Sequence, residues 1–440
     1  MAAAPGFRLP QLLLPRPGID LQRWAVIACD QYTAQPEYWA EVARFVGDAP
    51  STLQLIFPEA HLGQPDAPAR IAAIQQAMRR MLADGLLRAH DGAVLVERTV
   101  HTHSGPRVRR GLMLELDLEH YDFRPESTSL IRPTEGTIVA RLAPRIEVRR
   151  EALLELPHIL VLIDDPQGTV IEPIAAARAE LSPLYDTELM LGGGRVAGHA
   201  VAAERAAAAL QALQALAEPR AFAARYGVPE GTPPMLFAVG DGNHSLATAK
   251  AIWEAHKAQV GPDHPSRWAL VEVENIHDPA LDFAPIHRLL IGLRQDLRAA
   301  LAQAFGAALR LTELPSTQAL QQAVQAATAP RQAVGLIEPG GRFALAELSP
   351  PPAALAVGSF QPVIDRFVEA GGAAEVDYVH GDDALRQLAQ RDGHAGLHFP
   401  TVPKGELLKR VVHGGPLPRK TFSMGEADEK RFYVEARRIR

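Results

Sequence analysis

The chain has one cysteine, Cys29, in 440 residues, so no intramolecular disulfide can form. That suits a reducing compartment and gives the cytoplasm as the expected location. No apolar run approaches the roughly 18 residues of a membrane-spanning helix. The opening stretch is broken by proline and lacks the charged start and long apolar core of a signal peptide, so no membrane partner is expected. A strong excess of one charge is also missing. The 45 Lys and Arg against 51 Asp and Glu give a net charge of −6, which argues against a nucleic-acid partner. No internal repeat or low-complexity tract is evident. The Gly-rich MLGGGRVAGH lacks the G-K-[ST] ending of a nucleotide-binding Walker loop and reads as a turn or lid.

What is present is enough apolar sequence for two or three domains. Short apolar runs alternate with amphipathic stretches, the pattern of a mixed α/β fold. The divisions we expect are 1–125, 126–294 and 295–440. The last 37 residues, 404–440, hold ten Lys and Arg against five Asp and Glu. This local excess reads either as a basic surface strand or as a wall beside an anionic ligand.

The most informative stretch is Met235–Lys250, MLFAVGDGNHSLATAK. An apolar run ends in Gly240-Asp241-Gly242, and Leu246, Ala249, Trp253 and Val260 then recur at helical spacing. This is a strand, a tight turn and a helix. The glycines allow positive φ and close backbone approach. Asn243 is an N-cap candidate. The unpaired N–H groups and dipole of the helix N-terminus favour anions. Asp241 and His244 are carboxylate and imidazole candidates for acid–base work. Gly-Asp-Gly turns also precede helices for purely structural reasons.

Elsewhere, WAVIACD reads as a buried strand, with Cys29 a small buried residue rather than a nucleophile. STLQLIFPE reads as another short strand. Ile71, Ile74, Met78 and Leu82 make one stripe of a helix. GAVLVERTV and RVRRGLMLELDLEHYDF read as paired strands, with His101 and His103 at a solvated hairpin end. RPTEG is a loop, because its proline cannot sit within a helix. Its Arg132 and Glu135 are either a structural ion pair or site residues, and Arg145 follows. HILVLIDDP is a buried strand whose Asp164-Asp165 either caps a turn or suits Mg²⁺. Residues 172–232 read as helical around the glycine-rich interruption. In RWALVEVENI, Glu272 and Glu274 alternate outward. Gly340-Gly341 between two strands signals a hairpin. VDYVHGDDALRQLAQ reads as strand, turn and helix.

FAVGDGNHSLATAK resembles the DGHHR-type motif of the DUF1015 family, bacterial and archaeal proteins of largely unassigned function. IACDQYT, RPTEGT, LELPHILVLIDD, FAPIHRLL and GGPLPRKTF resemble family blocks in the family's order. The resemblance implies site roles for Asp30, Gln31 and Tyr32, for His287 and Arg288, and for Arg419 and Lys420. Ser245 stands where the motif carries arginine, so another cation is needed at the turn. The turn also resembles the phosphate-binding turn of the ParB/sulfiredoxin fold, which includes free-serine kinases. That likeness implies a ParB/sulfiredoxin-like core with added N-terminal and C-terminal α/β elements.

The function expected from these features is phosphoryl transfer on a small hydroxylated metabolite, with ATP or ADP and Mg²⁺, in either direction. Gly240, Gly242, Asn243 and Ser245 would hold phosphate. Asp241, His244 or Glu135 would serve catalysis, and Arg132, Arg145, Arg288, Arg419 and Lys420 would neutralise charge. Two alternatives stand beside it. One is a nicotinamide enzyme built on Gly240-x-Gly242-x-x-Ser245, with Glu272 binding ribose. The other is a non-catalytic nucleotide- or metabolite-binding module. No motif encodes an oligomeric state.

Overall fold

The period-2 alternation around Ser104 produces two long antiparallel strands, Val94–Thr102 and Gly105–Asp117, in register from Leu95↔Leu112 to Thr102↔Gly105. The computed structural model describes residues 6–102, 105–328, 330–425 and 427–440. The side chain of His101 and all of His103 lie outside the described residues.

The chain divides into two compact units, Met1–Asp282 with Leu407–Leu417 and Gly425–Arg440, and Phe283–Glu406 with Pro418–Met424. Residues 1–125 and 126–282 therefore contribute strands to one sheet. Across it run Ser182–Glu188, Arg195–Ala200, Val94–Thr102, Gly105–Asp117, Trp268–Asn275, Leu160–Ile163, Phe237–Asp241 and Ile131–Pro133. One face packs Leu114, Val161, Val239 and Val271 with Leu213 and Trp253 of the helices Ala203–Leu216 and Asn243–Val260. The other packs Val96, Met113 and Leu270 with Ile27, Trp39, Val42 and Tyr433.

Because both faces are covered, alternation does not carry Glu272 and Glu274 to water. They are 1% and 0% exposed, contrary to the outward placement expected from the pattern. Arg431 lies 3.0 Å from Glu272 and 2.6 Å from Glu435, and Arg109 lies 2.8 Å from Glu274. Gly111 makes the room, since a Cβ there would sit 2.2 Å from Glu272 Oε1. Burial, with Glu272 and Asp278 nearby, pushes the Glu274 carboxyl up to about 8 despite Arg109. The C-terminal basic excess is thus partly a set of buried counter-ions. Arg437 likewise pairs with Glu155 at 2.7 Å.

Three other segments differ from their local pattern. STLQLIFPE forms a 3₁₀ turn at Thr52–Gln54 rather than a strand. Within 172–232, Ser182–Glu188 and Arg195–Ala200 form an edge hairpin, so the glycine-rich interruption is its turn. Val260, at the end of its helix, is 40% exposed and leaves the stripe.

The second unit holds a sheet in the order Leu309–Leu314, Arg342–Leu348, Gln332–Glu338, His394–His398, Phe283–Ile291 and Glu375–His380, with Phe422–Met424 also pairing to Phe283–Ile291. Its hairpin turns at Gly340 and Gly341, with φ of 78° and 70°. Among the described residues, no helix is long and apolar enough to cross a membrane.

Candidate functional site

The site strand Phe237–Asp241 runs parallel to Ile131–Pro133 and antiparallel to Leu160–Ile163. Gly242 turns it into the site helix, the 18-residue Asn243–Val260. Gly242 is itself the N-cap, at φ 76° and ψ 24°, and no side chain caps the helix. Asn243, the expected cap, is the first helical residue instead. The reversal needs a left-handed residue there, and a Cβ at 242 would stand 3.0 Å from Ile159 Cα. Gly242 has no side chain with which to cap the first-turn N–H groups.

Asp241 lies between the strand end and this helix. Its Oδ1 accepts the Gly242 N–H at 2.9 Å, and its Oδ2 is 3.2 Å from Lys430 Nζ. Desolvation would raise its carboxyl, but Lys430, His158 and the Gly242 N–H together hold it below the usual range. Lys430, from the basic C-terminal stretch, is thus a cation at the turn where Ser245 stands in place of the motif arginine.

On the helix itself, Ser245 Oγ is 2.7 Å from His158 Nε2. His158 Nδ1 is 2.7 Å from the Tyr433 hydroxyl, which accepts the Cys29 N–H at 3.0 Å. These groups line a cavity of about 140 Å³ with Glu59, Arg145 and the apolar Phe57, Met78, Leu154 and Ile159. Arg145 donates to Glu59 and, at 2.6 Å, to the Arg141 carbonyl. Desolvation, with Asp30 adding, raises the Glu59 carboxyl against the pull of Arg145. Desolvation, with Asp30 and Glu59 adding, also raises the Cys29 thiol, so Cys29 is not a thiolate nucleophile.

The RPTEG loop meets the same turn. Thr134 Oγ1 donates to the Val239 carbonyl at 2.7 Å, and the Ile138 N–H donates to His244 Nε2 at 3.4 Å. Glu135 bridges to Leu417. Arg132 is engaged elsewhere, since its guanidinium donates to the carbonyls of Ser129 and Pro233, both at 2.8 Å. Asp164 and Asp165 act separately rather than as a pair. Asp165 accepts the Thr169 and Val170 N–H groups, whereas Asp164 accepts the Tyr226 hydroxyl at 2.7 Å.

Four expected site residues belong to the second unit. His287 and Arg288 are neighbours on a strand, so their side chains take opposite faces. Arg288 is 0% exposed, donates to Gln361 at 2.6 Å and to the Lys420 carbonyl at 2.8 Å, and stacks 4.7 Å over Phe399. Arg288 thus secures the backbone of Arg419 and Lys420, whose side chains are exposed. His287 Nε2 lies 2.9 Å from Asp382 Oδ1, with His398 Nε2 3.1 Å from the same oxygen. The trio has the composition of a metal site. However, the Phe399 N–H donates to His287 Nδ1 at 3.1 Å. That fixes the ring proton on Nε2, so His287 offers Asp382 a donor rather than offering a metal a lone pair.

Glu272, the acid a dinucleotide site would need for ribose, is buried against Arg431. His158, Tyr433 and Lys430 are functional candidates that sequence reasoning missed. His158 stands inside the block LELPHILVLIDD, which was the available signal, just before a strand that proves antiparallel to the site strand.

Strand, left-handed glycine, helix N-terminus and lysine–aspartate pair define a mixed α/β protein with a polar strand-to-helix site. The chain belongs to the DUF1015 family, proteins of unknown function, which it matches over residues 13–367. No curated protein matches the sequence. Among solved structures it is similar to free serine kinase in complex with AMP, at 11% identity and a TM-score of 0.37, covering 73% of this chain and 90% of that one. It is also similar to SbnI with C-terminal truncation from Staphylococcus aureus, at 12% identity and a TM-score of 0.35, covering 70% and 83%. A conserved hypothetical protein from Pyrococcus furiosus is a third, at 12% identity and a TM-score of 0.34, covering 71% and 90%.

Proposed function

We propose that the protein transfers a phosphoryl group between ATP or ADP and the hydroxyl of a small metabolite such as a free amino acid. The observation that carries this reading is the N-terminus of Asn243–Val260, opened by the left-handed Gly242, beside the Asp241–Lys430 pair. First-turn N–H groups bind phosphate oxygens. Lys430 offsets the charge on the transferring group. Asp241, held ionised, accepts the proton of the attacking hydroxyl. The nearby cavity of about 140 Å³, with Arg145 and Glu59 at its polar wall, takes the metabolite. Run backward, the same groups return the phosphoryl group, so one site serves both directions. A magnesium ion on Asp241 would compete with the Lys430 ammonium 3.2 Å away. The transfer is therefore written with Lys430 as the cation.

The test is a thermal-shift screen against nucleotides and phosphorylated amino acids, with His244→Ala alongside. A ligand at about 100 times its Kd adds about 2.7 kcal/mol of stability. The expected result is a raised Tm with a nucleotide, and a smaller rise in the variant. No shift with any nucleotide, and no phosphate release from any phosphorylated metabolite, would contradict the proposal.

A further inference from the structure

Resting on that phosphoryl-transfer reading, we infer that Ser245 is itself a nucleophile, activated by His158, and carries the phosphoryl group between donor and acceptor. A serine hydroxyl is a weak nucleophile at its ordinary pKa. It becomes a strong one when a base lies within hydrogen-bond reach and a third group orients that base. Both conditions are met, at 2.7 Å from Ser245 Oγ to His158 Nε2 and 2.7 Å from His158 Nδ1 to the Tyr433 hydroxyl.

Tyr433 is a fixed orienting group. Its ring is 1% exposed and its hydroxyl accepts the Cys29 N–H. We take His158 with its proton on Nδ1, donated to the Tyr433 oxygen, which leaves the Nε2 lone pair for the Ser245 hydroxyl. Ser245 also lines the cavity, where we place the electrophile. Its place in the first turn of the helix puts developing negative charge at the positive end of the dipole.

In the first step the Ser245 Oγ–H proton passes to His158 Nε2 and Oγ bonds to the γ-phosphorus. The bond from that phosphorus to the β,γ-bridging oxygen breaks, and ADP leaves. In the second step the metabolite oxygen bonds to phosphorus and its proton goes to Asp241. The Oγ–P bond breaks, and Oγ takes back the proton from His158. Asp241 then releases its proton to solvent.

The experiment mixes the protein with γ-³²P-ATP in the absence of acceptor, quenches in acid and locates the label by peptide mass spectrometry. A fluorophosphonate, which loses fluoride on attack by an activated serine, is run in parallel because it needs no nucleotide site. We expect both reagents to label Ser245 and neither to label Ser245→Ala. His158→Gln should slow labelling by about 10²–10⁴-fold. Tyr433→Phe keeps the ring, tests orientation alone, and should slow labelling less. Ser245→Ala removes one hydroxyl, and its Tm serves as the folding control. If ATP binds by calorimetry and an acceptor is phosphorylated, yet neither reagent labels residue 245, the nucleophile is overturned and direct transfer stands. If the fluorophosphonate labels Ser245 while no nucleotide binds, Ser245 stands as the nucleophile and the nucleotide reading falls.

Discussion

At the scale of single residues, burial decides what each charge is for. Arg431 is 3% exposed and lies between Glu272 and Glu435, which are 1% and 0% exposed. Replacing it with methionine leaves two buried carboxylates without a counter-ion. Arg431→Met should therefore lose about 3–5 kcal/mol in urea unfolding. Arg195→Met, which breaks the exposed pair with Asp186, is the control and should lose far less. Equal losses in the two variants would contradict the buried-network account. Glu274 gives a pH signature. Burial lifts its folded value to about 8, above its ordinary value, so the folded state binds the extra proton. Its stabilising contribution is full below about pH 4 and is lost as pH rises through 8. The stability of the wild type relative to Glu274→Gln should fall between about pH 5 and 9. A flat difference over that range would contradict the assignment.

At the scale of elements, the site depends on one left-handed residue. Gly242→Ala places a Cβ where φ is 76° and Ile159 Cα is 3.0 Å away. We expect a loss of about 1–2 kcal/mol in thermal unfolding, with weaker ligand binding as the turn shifts. Unchanged stability would mean that the turn is not locked as described. This strand, turn and helix were legible because their signals are local: an apolar run, two glycines and a helical stripe. The Gly340-Gly341 hairpin was legible for the same reason. The hairpin of Ser182–Glu188 and Arg195–Ala200 was not, because an alanine-rich neighbourhood on both sides masks its alternation. Alternation placed Glu272 and Glu274 on one face of their strand but could not reveal what covers that face. Nor could sequence pair His158 with Tyr433, which stand 275 residues apart.

At the scale of the whole molecule, the larger unit is closed by its own C-terminal segment. Gly425–Arg440 supplies Lys430 to the turn, Tyr433 to the His158 chain, and Arg431 and Arg437 to buried carboxylates. Of the two readings open at the sequence level, a surface strand or a ligand wall, the first does not hold for Arg431 and Arg437, which are buried counter-ions, and the second is what the proposed function assigns to Lys430. The block containing His287 and Arg288 belongs to the second unit, where Arg288 ties down the backbone of Arg419 and Lys420. The proposed phosphate site accordingly uses the larger unit alone, with the helix N-terminus and Lys430. The most direct test is isothermal titration calorimetry of ATP and ADP against the wild type and Lys430→Met. The account predicts saturable binding to the wild type, weakened at least tenfold in the variant, which is about 1.4 kcal/mol. Absence of binding to the wild type, or equal binding to both proteins, would contradict it.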